Sequence, residues 1–190
     1  MARHGVSRSA VAGRDLVWRC RQGEPMEERL EFGSRRTICS CKVCRKNCEV
    51  MPGFLLPSDL TRMVPADTEP FTWAETNLLA SPGALVMKAN TYFRIPTLVP
   101  AIRTNGNCKN LTSEGLCSIH EVAPFGCAFF DCHGGPGQDQ LAHIGLNAVY
   151  KSIFLDRHSL YRRLWTHLAE RGLVQQAAEV LRAKMRKELE

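Results

Sequence analysis

The sequence predicts an α+β fold: a small, irregular β region packed with helices and followed by a C-terminal helical segment. Three observations predict it. Residues 84–103 are β-prone, with Leu85, Val86, Thr91, Tyr92, Phe93, Ile95 and Val99 broken by Pro96 and Pro100. That pattern suits short strands at the edge of a small sheet better than a central strand. From Leu141 onward apolar residues recur at helical spacing. Before and after the β-prone stretch stand two groups of cysteines, in a chain that holds nine in all.

The chain has 190 residues and a mass of 21.3 kDa, enough for one ordinary domain with extensions. At 44% hydrophobic and 23% charged it has the balance of a globular protein rather than a disordered one. No apolar run reaches the roughly 18 residues a membrane span needs. Residues 1–20 mix Arg3, Arg8, Arg14 and Arg19 with polar residues and hold no apolar core segment, which argues against a secretory signal and for the cytoplasm. Net charge is +5 over residues 1–50, −3 over 51–150 and +4 over 151–190. Basic ends invite a nucleic-acid reading, but no aromatic-rich motif or recognition helix accompanies them. A solvated tail and helix face is the simpler account.

Taken in order, residues 1–36 form a basic N-terminal extension with a short helix over Pro25–Leu30. Residues 37–135 hold both cysteine groups. Pro52-Gly53 marks a turn. Pro57-Ser58-Asp59 starts a helix with Ser58 as N-cap and Leu60 and Met63 on one side. A second helix runs from Asp67 or Glu69 to Ser81, with Trp73, Leu78 and Leu79 as its apolar side and Pro82-Gly83 as its stop. Thr112-Ser113-Glu114-Gly115 is a turn sequence, and a hairpin there brings Cys108 and Cys117 together. Residues 136–190 are the C-terminal helical segment. Leu141, Ile144, Val149, Ile153 and Phe154 form one stripe, and Leu160, Leu164 and Leu168 a second. Gly172 then separates a last helix, Val174–Glu188, with Ala177, Val180, Leu181 and Met185 inward.

The cysteines carry the chemistry. Disulfide scaffolds are usually short, have even counts and enter through a signal peptide; this chain has none of those marks, so metal is the leading reading. A tetrahedral thiolate site needs four sulfurs about 2.3 Å from one Zn²⁺, and pairs spaced Cys-x₂₋₄-Cys converge across a tight turn. Cys41-x₂-Cys44 and Cys44-x₃-Cys48 fit, and Cys127-x₄-Cys132 lies at the edge of that range. Iron–sulfur clusters take overlapping Cys₄ sets. Lys42, Arg45 and Lys46 interleave with the first group and favour thiolate over thiol. The expected metal ligands are Cys39, Cys41, Cys44, Cys48, Cys108, Cys117, Cys127 and Cys132, with Cys20 left as a buried or free thiol. Eight thiolates suit two Cys₄ sites, or a cluster plus a mononuclear site, and would make the β region metal-organised. His120 and His133 are alternative ligands, and Asp131 could orient His133. Asp59 reads as a helix cap or a surface residue.

These same residues carry a resemblance. Cys41-x₂-Cys44-x₃-Cys48, Pro52-Gly53, Phe54, Pro57 and Asp59, followed by Cys108, Leu111, Gly115, Cys117-Ser118-Ile119-His120-Glu121, Pro124 and Cys127, resemble the bacterial YkgJ-like cysteine-cluster family. The resemblance covers roughly residues 39–133, and the Cys-Ser-Ile-His-Glu segment is its most specific part. It implies a zinc- or iron-chelating protein, often labelled an iron–sulfur-cluster protein. The family usually has Arg before the Pro and after the next Cys, where this chain has Ala123 and Ala128.

The sequence thus leads to a cytoplasmic metal-chelating protein that binds iron, as an iron–sulfur cluster, or zinc. One alternative is an iron–sulfur oxidoreductase or maturation enzyme, which requires an open coordination position or a substrate cleft. The other is a zinc-stabilised structural scaffold that presents the basic helix Val174–Glu188 to a protein partner. No Ser–His–Asp set, phosphate-cradling glycine loop or paired acid/base motif discloses a substrate.

Overall fold

The computed structural model describes residues 41–88, 90–130 and 137–177, together with 180, 181, 183 and 187. The basic extension, the helix over Pro25–Leu30, and Cys20, Cys39, Asp131, Cys132 and His133 lie outside the described residues. Among those described, six α-helices accompany one two-stranded antiparallel sheet, so the fold is α+β. The helices are α1 (Lys42–Val50), α2 (Pro57–Met63), α3 (Pro70–Asn77), α4 (Phe125–Ala128), α5 (Gln138–Tyr150) and α6 (Leu160–Glu170). The strands β1 (Leu78–Lys88) and β2 (Thr91–Pro100) form a hairpin between α3 and α4. No helix among the described residues is long and apolar enough to cross a membrane.

The hairpin is longer than the sequence predicts. Leu78 and Leu79, expected on a helix, pair instead with Pro100 and Val99. Helix α3 ends at Asn77 because the cross-strand partners of the next residues are already in place. Pro82-Gly83, expected to stop a helix, forms a bulge inside β1: Ser81 pairs with Thr97, and Ala84 with Ile95. Two residues on β1 therefore face one on β2, Pro96, which has no N–H to lose. Gly83 has φ +76°, and a Cβ there would overlap the Ile95 carbonyl.

Leu98, near the C-terminal end of β2, turns its backbone away from β1. Its carbonyl accepts from Leu55 N–H at 2.8 Å, and its N–H donates to the Tyr161 hydroxyl at 2.8 Å. Tyr161 in turn donates to the Leu55 carbonyl at 2.8 Å. Ala80 likewise uses its backbone on the outer edge of β1, accepting from Gln175 N–H at 2.8 Å and donating to Leu173 O at 2.9 Å. Val174 pairs with Ala80 as a parallel bridge. The expected helix from Val174 is thus corrected at its start, because the free edge of β1 holds residues 173–175 extended.

Side chains from residues 37–135 and from 136–190 share one core. It includes Leu55, Leu60, Leu78, Leu98, Phe125, Leu141, Val149, Tyr161, Leu164 and Leu168. Both C-terminal stripes agree with their expected faces only in part. Leu141, Val149 and Ile153 are buried, whereas Ile144 and Phe154 are exposed. In α6 the inward residues are Tyr161, Leu164 and Leu168, and Leu160 lies outside. Ser159 caps α6, its Oγ accepting from Arg162 N–H at 3.1 Å.

Helix α2 begins as the Pro57 signal predicts, with one correction. Leu56, not Ser58, occupies the cap position, and the capping group is the Asp59 carboxylate, which accepts from Leu56 N–H at 2.7 Å. Asp59 is fully buried rather than on the surface. It also accepts from Phe125 N–H at 2.9 Å and pairs with Arg62. One carboxylate therefore serves the starts of two helices, α2 and α4, 66 residues apart in the chain.

Candidate metal centre

Six of the eight expected ligands are described, and all six carry a thiol rather than a disulfide. Helix α1 sets out the first group. Cys41 is its N-cap, and the Cys41 sulfur accepts from Cys44 N–H at 3.5 Å. Cys41, Cys44 and Cys48 follow at i, i+3 and i+7, which puts them along one helix face. Cys41 and Cys44 are buried and Cys48 is partly so.

The second group reaches that face through backbone contacts. Cys108 N–H donates to Glu49 O at 2.7 Å, which holds Cys108 against the end of α1. Cys108 and Cys117 stand on isolated antiparallel bridges, with Ile102 and Leu111 as partners. Between them Thr112 N–H donates to Leu116 O at 2.8 Å and Gly115 N–H to Thr112 O at 3.0 Å, so the expected turn forms. Arg45 of α1 lies over this turn: its Nη2 donates to Glu114 O at 3.5 Å, and a Cβ on Gly115 would run into its guanidinium. The named β-ladder itself carries no cysteine.

Cys127 arrives on α4, whose start is held by Asp59. The turn after α1 receives it: Gly53 N–H donates to the Cys127 sulfur at 3.1 Å, and Gly126 N–H to Phe54 O at 2.8 Å. At this point two main chains touch. A Cβ on Gly53 would overlap the Gly126 carbonyl, and a Cβ on Gly126 would overlap Phe54 N.

These anchors bring Cys48, Cys108, Cys117 and Cys127 within electrostatic reach of one another, every pair included. Burial pushes the Cys48 thiol up to about 11, and Cys117, Cys108 and Glu49 add to the rise. Burial also raises Cys108, against the pull of the Asn110 N–H; Cys117 adds to the rise, and Arg103 opposes it. Cys127 is raised well above the ordinary thiol range, first by burial and then by Cys48 and Cys108, with the Gly53 N–H opposing. Among the groups that shift Cys48, Cys108 and Cys127, Lys46 and Arg45 do not figure. Lys46 pairs with Glu49 at 3.2 Å, Arg45 turns to the Glu114 carbonyl, and the cation that favours a thiolate is Arg103, beside Cys108.

The donor set suits a soft cation, because several buried thiols share a region where each ionised sulfur would repel the next. The spacing is looser than coordination requires: among the described residues, no three Cys, His, Asp or Glu side chains stand close enough to hold an ion. His120 sits on an exposed 3₁₀ turn over His120–Val122.

These shifts carry a pH dependence whose sign can be worked out. An unfolded thiol ionises near 9, whereas Cys48 in the fold holds its proton to about 11. The folded state binds more protons across that window, so stability falls as pH rises through it. The chelator-treated chain is expected to show a urea midpoint that declines from about pH 9 to pH 11, and Cys48→Ser to flatten that decline. A flat or rising wild-type midpoint would contradict this account. Burial raises Tyr161, Cys108 and Cys127 in the same direction, so the difference between wild type and variant reports the Cys48 part.

A cavity of about 380 Å³ adjoins these thiols, with Cys44, Cys48 and Cys127 on its wall. Sequence reasoning missed three residues that shape this region. Asp59 carried a capping signal, but nothing local showed that it serves Phe125 as well. Gly126 and Gln175 carried no signal, because their roles depend on chain segments far away in sequence.

Comparison with protein-family models, with curated proteins and with solved structures gives no match for this chain.

Proposed function

We propose that this chain is a cytoplasmic metal-chelating protein of the YkgJ-like cysteine-cluster kind, holding iron as an iron–sulfur cluster, or zinc, through cysteine thiolates. One observation supports it most: four thiols, drawn from α1, α4 and the two bridges between them, lie within electrostatic reach of each other. Every neighbouring side chain that shifts Cys48 is itself acidic. Such a set favours a bound cation, which would reverse the shifts and hold the sulfurs as thiolates. Cys41 and Cys44, on the same helix face as Cys48, with Cys39 and Cys132 nearby in sequence, complete the eight proposed ligands. Binding energy at sulfurs from distant segments would also be folding energy.

Anaerobic purification with metal and labile-sulfide analysis and an absorption spectrum tests the proposal. The expected result is stoichiometric iron with sulfide and broad absorption near ~400 nm, or stoichiometric zinc in a colourless protein. Cys48→Ser, Cys108→Ser and Cys127→Ser should each lower metal content, while Cys20→Ser should not. Wild-type protein from reduced cells with no stoichiometric ion would end the proposal. The cavity beside Cys44, Cys48 and Cys127 favours the oxidoreductase alternative over a closed zinc scaffold, because it offers space for a substrate next to the proposed ligands.

A further inference from the structure

We propose that the cavity between α1, the hairpin and residue 175 is a binding site for a neutral, largely apolar organic molecule, which presents one carbonyl-type oxygen to the side-chain amide of Gln175. Its volume of about 380 Å³ lies within the range of small-molecule sites. Met51, Phe54, Ala84, Val99 and Phe130 supply apolar wall. No Asp, Glu, Lys, Arg or His stands among the described residues that line it. A phosphate or carboxylate would leave water with no cationic side chain among those residues to meet it, which argues for a neutral ligand.

Gln175 supplies the polar feature. It is 7% exposed, and its Nε2 is the one buried side-chain nitrogen or oxygen among the described residues with no hydrogen-bond partner. Folded proteins rarely keep a buried donor unpaired, so such a group calls for an explanation. The amide is held in place by its own main chain. Gln175 N–H donates to Ala80 O, and the preceding residue forms the parallel bridge with β1. Asn47, Ser81 and Thr97 also stand on the wall, and none of them partners Gln175 Nε2; the Ser81 hydroxyl accepts from Gly83 N–H at 3.1 Å inside the bulge. Gln175 Nε2 has no acceptor, and a ligand carbonyl oxygen supplies one without bringing charge. The site does not depend on a bound metal, although it shares Cys44, Cys48 and Cys127 with the proposed ligands.

Two probes with the same two-ring frame, benzophenone and diphenylmethane, differ by a carbonyl in place of a methylene. Each is titrated into the full ¹⁵N-labelled chain as purified, and the Gln175 side-chain NH₂ signal, assigned by its loss in Gln175→Met, is followed by NMR. Benzophenone should bind and move that signal, and diphenylmethane should not move it. In Gln175→Met the affinity for benzophenone should fall about five- to tenfold, the worth of one neutral hydrogen bond, with that for diphenylmethane unchanged. Failure of benzophenone to bind, binding that leaves the Gln175 signal in place, or equal affinity in the variant would overturn the proposal. Should Gln175→Met not fold, the contrast between the two probes at the wild-type Gln175 signal, assigned then by sequential NMR, decides alone. Metal content measured on the same preparation reports on the thiols separately, so the two proposals fail independently.

Discussion

Asp59→Ala is expected to lower the unfolding free energy by about 3–5 kcal/mol, a large share of the total stability of an ordinary domain. The carboxylate is fully buried and serves three partners: Leu56 N–H, Phe125 N–H and the Arg62 guanidinium. Truncation leaves two backbone donors without an acceptor and takes from Arg62 its ion-pair partner. It also opens a void beside Leu56 and Phe125, both in the core. Asp59→Asn keeps one acceptor oxygen and should cost less. Urea denaturation of the three proteins measures the order; an Asp59→Ala loss under about 1 kcal/mol would show that water replaces the carboxylate freely. Because Asp59 holds the start of α4, on the proposed function the same substitution should also lower metal content through Cys127, two residues beyond Phe125.

Tyr161→Phe is the second large effect, about 2–4 kcal/mol. The hydroxyl sits fully buried between Leu98 N–H and the Leu55 carbonyl, 2.8 Å from each. Removing it leaves a donor and an acceptor unpaired in the core, and the ring that remains cannot satisfy either. The melting temperature should fall by about 5–15 °C, given how a chain of this length converts free energy into melting temperature. A fall of less than about 2 °C would mean that the two backbone groups find each other, or water, at little cost.

The comparison of sequence with structure turns on which information is local. Helices α5 and α6 were legible because a repeat of 3.6 residues places Leu141, Val149, Leu164 and Leu168 on inward faces whatever they pack against. Leu78 and Leu79 were not: the same two residues suit a helix or a strand, and Val99 and Pro100 decide between them from across the hairpin. Pro82-Gly83 is a stop signal in a helix and a bulge in a strand, so the first misreading entailed the second. Val174 went the same way, with the outer edge of β1 overriding a helical pattern. At the candidate centre, the spacing within α1 was legible because it lies within one element. The approach of Cys108 to Glu49 rests on a backbone hydrogen bond, and that of Cys127 to Gly53 on a bond from Gly53 N–H to the Cys127 sulfur; both span tens of residues, and no spacing rule contains them.

The meeting of Gly53 with Gly126 has a consequence for how this chain can vary. Most tight contacts can be relieved from either side, since enlarging one partner is offset by shrinking the other. In this pair neither partner has anything left to give up, because both are already hydrogen-only and the obstacle to each is the other segment's main chain. No compensating second change exists within the pair. Drift at either codon is therefore blocked singly and jointly, and a library randomised at both positions should return only the parental combination.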